Sequence, residues 1–160
     1  MPVRVRPIIG DFFLTRNAEG PGEWGNPSPG HWNHVAVCVA SDWIIEAQVE
    51  PHNRVIASDW YEFYNRYPEI VILRPPVQYA VPIAYRAKTL FGRPYRRIAI
   101  SLARREKVGE NCVTIARKSW LYASGTDLKW RIPDHLLGSA VTGYLSVVGS
   151  KPAGLIPAFS

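Results

Sequence analysis

The chain has 160 residues, 47% of them hydrophobic and 20% charged, with 19 Lys+Arg against 13 Asp+Glu for a net charge of +6. That length and balance describe one globular domain, 1–160, and exclude a disulfide framework (only Cys38 and Cys112), a transmembrane span and a recognisable signal peptide. The positive excess favours anionic partners such as cell-wall polymer, nucleic acid or lipid head groups, without choosing among them.

Val3 to Ile9 reads as a short strand or extended arm, Gly10-Asp11 as a turn that Asp11 stabilises, and Phe12-Phe13-Leu14-Thr15 as an apolar strand. Residues 17 to 33, NAEGPGEWGNPSPGHWN, form a loop rich in Gly, Pro and Asn, and loops of that length are more often functional than accidental. His34 to Ala40 is the clearest strand: valines 35, 37 and 39 face one way, and His34, Ala36, Cys38 and Ala40 the other. Ser41-Asp42 turns the chain and Trp43 to Ala47 returns as its partner. A hairpin loop with an odd number of residues puts His34 and Glu46 on one face, about 7–8 Å apart as diagonal neighbours, with Ala36 opposite Glu46. An even loop puts them on opposite faces.

Asn53 to Ala57 reads as a further strand, and Ser58 as the cap of a short helix over 59–64 with Trp60 and Phe63 or Tyr64 inward. Ile70 to Leu73 is a buried strand ended by Arg74-Pro75-Pro76, and Pro82 at the first helical position opens a helix through Leu90. Ile98 to Arg105 is periodic enough for a helix, with a strand as the alternative. Gly109-Glu110-Asn111-Cys112 is a helix start, capped by Asn111, that runs to Ser124 before Gly125. Cys112, Ile115, Ala116, Ser119 and Ala123 share a face of mostly small residues, which lets the helix lie close to a sheet. The free N–H groups at a helix start favour a thiolate over a thiol. Asp127 to Ile132 reads as a strand, Pro133 to Leu137 as a single helical turn, Tyr144 to Val148 as the last strand, and 150–160 as a loosely held tail.

A strand-borne His34, a carboxylate at Glu46 and a distant Cys112 at a helix start are the parts of a thiol hydrolase. The imidazole takes the thiol proton, the carboxylate fixes its tautomer, the thiolate attacks a carbonyl, and the Cys112 N–H helps to hold the oxyanion. Seven short motifs stand in an order that matches a known family: Gly10-Asp11-Phe12-Phe13, His34-Val35-Ala36-Val37, Ile45-Glu46-Ala47, Val71 to Pro75, Gly92 to Tyr95, Asn111-Cys112 and Pro133 to Leu136. In this the chain resembles the circularly permuted NlpC-like, papain-fold hydrolases, particularly the YiiX-like branch, with the lecithin retinol acyltransferases as wider relatives. The resemblance implies Cys112 as nucleophile, His34 as base and Glu46 as the orienting third residue. Where relatives often carry Cys-Ser-Glu-Leu, this chain has Cys112-Val113-Thr114-Ile115.

The expectation is therefore an α+β domain of permuted papain-like (NlpC-type) architecture, its antiparallel sheet packed against the helix that carries the catalytic cysteine. The reaction expected is cleavage of an amide bond in peptidoglycan peptides, without cofactor or metal. Acyl transfer or thioester cleavage on a lipid is the runner-up chemistry. His31, Trp24, Trp32 and Tyr95 are the expected substrate-binding residues, since aromatic side chains suit a peptide or an acyl chain. Zinc between His31, His34 and a cysteine lacks a second ligand pair at a usual spacing. Cys38 reads as inert core, and His52 and His135 as exposed turn residues. Arg93, Arg96, Arg97, Arg104 and Arg105 around Tyr95 could form a nucleic-acid surface, but no binding motif accompanies them, so a non-catalytic basic module ranks last. The place of action is expected to be the cytoplasm, or outside the cell by a route without a signal peptide, such as a phage lysis or injection apparatus.

Overall fold

The computed structural model describes residues 6–16, 31–48, 51–95 and 110–151. Among them, the stretches of alternating or continuous apolar character form β1 (Phe12–Arg16), β2 (His34–Ala40), β3 (Trp43–Gln48), β4 (Arg54–Asp59), β5 (Glu69–Arg74) and β6 (Ser146–Lys151). The helices are α1 (Trp60–Arg66), α2 (Val77–Thr89), α3 (Cys112–Ser124) and α4 (Asp134–Val141). The strands build one antiparallel sheet in the order β4-β3-β2-β1-β5-β6. The α+β expectation holds at this level.

Because side chains alternate along a strand, the sheet has two apolar faces, and each acquires its own core. Phe12, Leu14, Val35, Val37, Ile45 and Ala47 turn toward α2 and α3, where Ile83, Ala84, Ala87, Val113, Ile115, Ala116 and Trp120 meet them. Phe13, Ala36, Cys38, Ile44, Ile70 and Ile72 turn the other way, under Trp60 and Phe63 of α1 and the following Tyr67. Phe13 stacks on Trp60 at 5.1 Å between ring centroids.

The register of the β2–β3 hairpin decides which residues share a face. Ala40 pairs with Trp43 across a two-residue turn, and that register alone would separate His34 from Glu46. A bulge between Cys38 and Ala40 inserts one extra residue, so that Cys38 pairs with Ile44 and Ala36 with Glu46. Ala36 thus lies opposite Glu46 as expected, through a bulge rather than an odd loop. Before β1, Asp11 accepts from the Ile8 N–H at 2.8 Å and from Arg74 Nε and Nη2 at 2.9 Å each, which ties the turn to the end of β5. Gly10 (φ +90°) lets that turn lie against α2, since a Cβ there would stand 2.6 Å from the Ala80 Cα.

Several local expectations are corrected. α2 begins at Val77, after Pro75-Pro76, and Pro82 lies inside it rather than opening it. The missing N–H is tolerated because Ile83, Ala84 and Ala87 are buried against the sheet. Asp59, not Ser58, caps α1, and Ser58 is a buried residue of β4. Residues 127–132 form no strand, and 134–141 form an eight-residue helix rather than one turn. Trp130 and Leu136 are buried there, and the Trp130 indole donates to Ser139 Oγ at 2.8 Å, so side-chain anchors replace the ladder expected of a strand. β6 begins at Ser146, two residues later than the expected strand. Arg6 to Ile9 are not in a strand. The readings for 3–5, 98–105 and 152–160 lie outside the described residues.

Candidate active site

α3 starts as the sequence requires. Asn111 Oδ1 accepts from the Val113 and Thr114 N–H groups at 3.0 Å each, and Thr114 Oγ1 accepts from the Asn111 N–H at 2.9 Å. This reciprocal capping box makes Cys112 the first helical residue, half-buried, while Gly125 (φ +75°) closes the other end. A residue that the sequence reading did not single out reinforces the start. Glu110 is fully buried and takes hydrogen bonds from Thr114 Oγ1 (2.7 Å), Arg93 Nη1 (2.9 Å) and Lys118 Nζ (2.5 Å). Its backbone pairs in parallel with Tyr95, so one carboxylate fastens the edge segment after α2 to the helix bearing Cys112. The only sequence signal for Glu110 is an acidic residue immediately before an N-cap, with basic residues at Arg93 and Lys118.

His34 and Glu46 form the second half of the expected constellation. His34 Nε2 lies 3.0 Å from Glu46 Oε1, with the side chains 2% and 0% exposed. Arg66 Nη1 (2.8 Å) and Gln48 Nε2 (3.1 Å) donate to the same oxygen. Burial alone would push the Glu46 carboxyl up. The hydrogen bond and charge of His34, then Arg66 and Ser58, outweigh it and hold the group at about 2. The His34 ring stacks on Tyr67 at 5.8 Å and lies 6.4 Å from Phe63.

The two halves lie on different faces of the sheet. His34 and Glu46 point toward α1, while Cys112 packs against the core on the α2–α3 side. The structure joins the expected base to its carboxylate, and no hydrogen bond among the described residues links Cys112 to either of them. Alternation is the cause: once Val35, Val37 and Val39 turn toward α3, His34 and Ala36 must turn away from it.

Of the other expected site residues, His31 is exposed, with Nε2 3.3 Å from Glu69 Oε2. The His31 and Trp32 N–H groups donate to the two oxygens of Asp134 at 3.0 and 2.9 Å, which fixes them to the first turn of α4. Trp32 is only 9% exposed and packs in the core. Tyr95 is half-buried against the same core as Cys112, so these two share a side of the sheet. Trp24, Arg96, Arg97, Arg104 and Arg105 lie outside the described residues, and Arg93 is committed to Glu110. Cys38 is buried, donates its S–H to the Ala40 carbonyl at 3.0 Å, and is pushed up to about 12, chiefly by burial and then by the charge of Asp11. No three His, Cys, Asp or Glu side chains gather as metal ligands among the described residues.

No protein-family model matches the sequence, and no curated protein matches it. The three-dimensional comparison does find a neighbour. The crystal structure of the metalloprotein YiiX from Escherichia coli O157:H7 superposes with a TM-score of 0.61 at 16% sequence identity, covering 78% of this chain and 70% of that one. The fold is YiiX-like. At that identity the likeness is one of fold, and it agrees with the branch that the sequence motifs resemble. No helix among the described residues of this YiiX-like fold is long and apolar enough to cross a membrane.

Proposed function

We propose that the protein is a cysteine hydrolase, a permuted papain-like enzyme on the YiiX-like fold, that cleaves an amide bond of peptidoglycan peptides with Cys112 as nucleophile. The observation that carries this reading is the start of α3, where a complete capping box presents a half-buried cysteine as the first residue of a 13-residue helix. In the reaction Sγ bonds to the carbonyl carbon, the C–N bond breaks as the amine leaves with a proton, and water hydrolyses the thioester. By family resemblance His34 is the base and Glu46 its orienting partner. The described conformation seats that pair under α1, with His34 on Tyr67 and Glu46 on Arg66. The neighbour is described as a metalloprotein; among the described residues of this chain no three candidate ligands gather, and Glu46 Oε1 already meets His34, Arg66 and Gln48.

A screen against peptidoglycan fragments and acyl esters, with Cys112→Ala as control, tests the reading. Cleavage of a fragment by the wild type and its loss in Cys112→Ala is the expected result. Cleavage of acyl esters alone transfers the same nucleophile to lipid acyl chemistry. The separation of the His34–Glu46 pair from the thiol favours a second reading, a non-catalytic YiiX-like module in which the pair only packs the sheet against α1. Absence of turnover on both substrate classes decides for that reading.

A further inference from the structure

α2 and α3 together contain no acidic residue: their sequences are VQYAVPIAYRAKT and CVTIARKSWLYAS. Of their four cations, Arg117 is paired with Asp127 and Lys118 with Glu110. Arg86 hydrogen-bonds only to Thr89 Oγ1 at 3.0 Å, and neither Arg86 nor Lys88 has a carboxylate partner among the described residues. Beside these charges α2 exposes an apolar stripe. Val77, Val81 and Tyr85 are 88%, 69% and 58% exposed, and their four-residue spacing puts them on one side, away from the buried Ile83 and Ala87. At the end of the stripe Tyr85 meets Tyr122 of α3 with ring centroids 5.9 Å apart. Here Tyr85, Tyr122 and Leu121 line an open groove of about 510 Å³.

We propose that this α2–α3 face docks on an anionic phospholipid surface. A contiguous exposed apolar patch marks an interaction site, and its chemistry selects the partner. Val77, Val81 and Leu121 suit the acyl boundary, while Tyr85 and Tyr122 carry an apolar ring and a polar tip, the combination favoured at head-group depth. Arg86 and Lys88 stand at the rim without internal counter-charge and meet lipid phosphates. A nucleic-acid backbone would use the two cations but leave Val77 and Val81 in water. The docking surface is independent of the hydrolase reading, since it includes neither Cys112 nor the His34–Glu46 pair.

Flotation of the full chain with vesicles tests it, using phosphatidylcholine alone and phosphatidylcholine mixed with phosphatidylglycerol, at low and high salt. Wild type and Cys112→Ala are expected to float equally with the mixed vesicles at low salt, and about tenfold more weakly with the neutral ones. Arg86→Glu/Lys88→Glu should lose on the order of fivefold or more per charge on mixed vesicles. Val81→Asp/Tyr85→Asp, checked for an unchanged far-UV CD spectrum, should not float at all. The proposal is overturned if wild type stays in the pellet, or if the Val81/Tyr85 variant floats like wild type. Displacement by duplex DNA that the Val81/Tyr85 variant binds as well as wild type would overturn it too, in favour of a nucleic-acid partner.

Discussion

At the scale of single residues, the two cysteines and the Glu46 carboxylate make opposite predictions about exposure and charge. Cys38 is buried and pushed up to about 12, whereas Cys112 is half-buried at a helix start. Iodoacetamide near neutral pH should therefore modify Cys112 well before Cys38, read by peptide mass spectrometry after a short pulse. Equal labelling would remove the basis for choosing Cys112. Glu46 is held at about 2 against an ordinary 4.5, so it binds protons more weakly in the folded chain than in the unfolded one. Its stabilising contribution is complete above about 4.5 and is lost as the pH falls from there toward about 2. Glu46→Gln should lower stability at neutral pH by on the order of 3 kcal/mol. It should also flatten the fall in stability across that acid window, as denaturant melts at stepped pH would show. An unchanged acid limb would mean that other carboxylates carry it. Because His34 is itself buried on Tyr67, an inactive His34→Ala protein speaks to chemistry only alongside a measured stability.

At the scale of elements, two helix caps of the same kind differ in surroundings. Asn111 bonds the Val113 and Thr114 N–H groups in a buried setting, and Asp59 bonds Tyr61 and Glu62 in an exposed one. Removing Asn111 leaves buried donors without a partner, while water replaces Asp59. Asn111→Ala should cost about 2 kcal/mol and Asp59→Ala about 0.5 kcal/mol, by urea unfolding of each variant. Equal costs would show that the neighbours of Glu110, not the cap, hold the start of α3. The cap was legible in the sequence because it is local: Asn111, Thr114 and Gly125 each act within a few residues. Glu110 was not, because its partners Arg93 and Lys118 come from an edge segment and from two turns further along the helix.

At the scale of the whole molecule, a single sheet joins two cores, so both should unfold together. Val37→Ala on the α3 side should cost about 2 kcal/mol and Phe63→Ala on the α1 side about 4 kcal/mol. Each variant should shift one common transition monitored by far-UV CD and by tryptophan fluorescence. Separate transitions for the two probes would divide the chain into independently stable parts.

The sequence by itself determined the elements whose signals are short-range. Alternation marked β2 and its two faces, an Asn cap and a glycine stop bounded α3, and the Asp11 turn held as read. Whether His34 and Glu46 share a face was left by the sequence to the parity of the hairpin loop, and a bulge between Cys38 and Ala40, not the two-residue turn, puts them on one face. Which face α3 would choose was not a local property. Val35, Val37 and Val39 offer more apolar area than His34, Ala36 and Cys38, and burying that area against Val113, Ile115 and Ala116 draws the cysteine helix to their side. α1, immediately after β4, covers the other side and encloses the imidazole and its carboxylate. The residue types were set by the chain, but only tertiary packing decided that the thiol and the imidazole–carboxylate pair stand on opposite faces of one sheet.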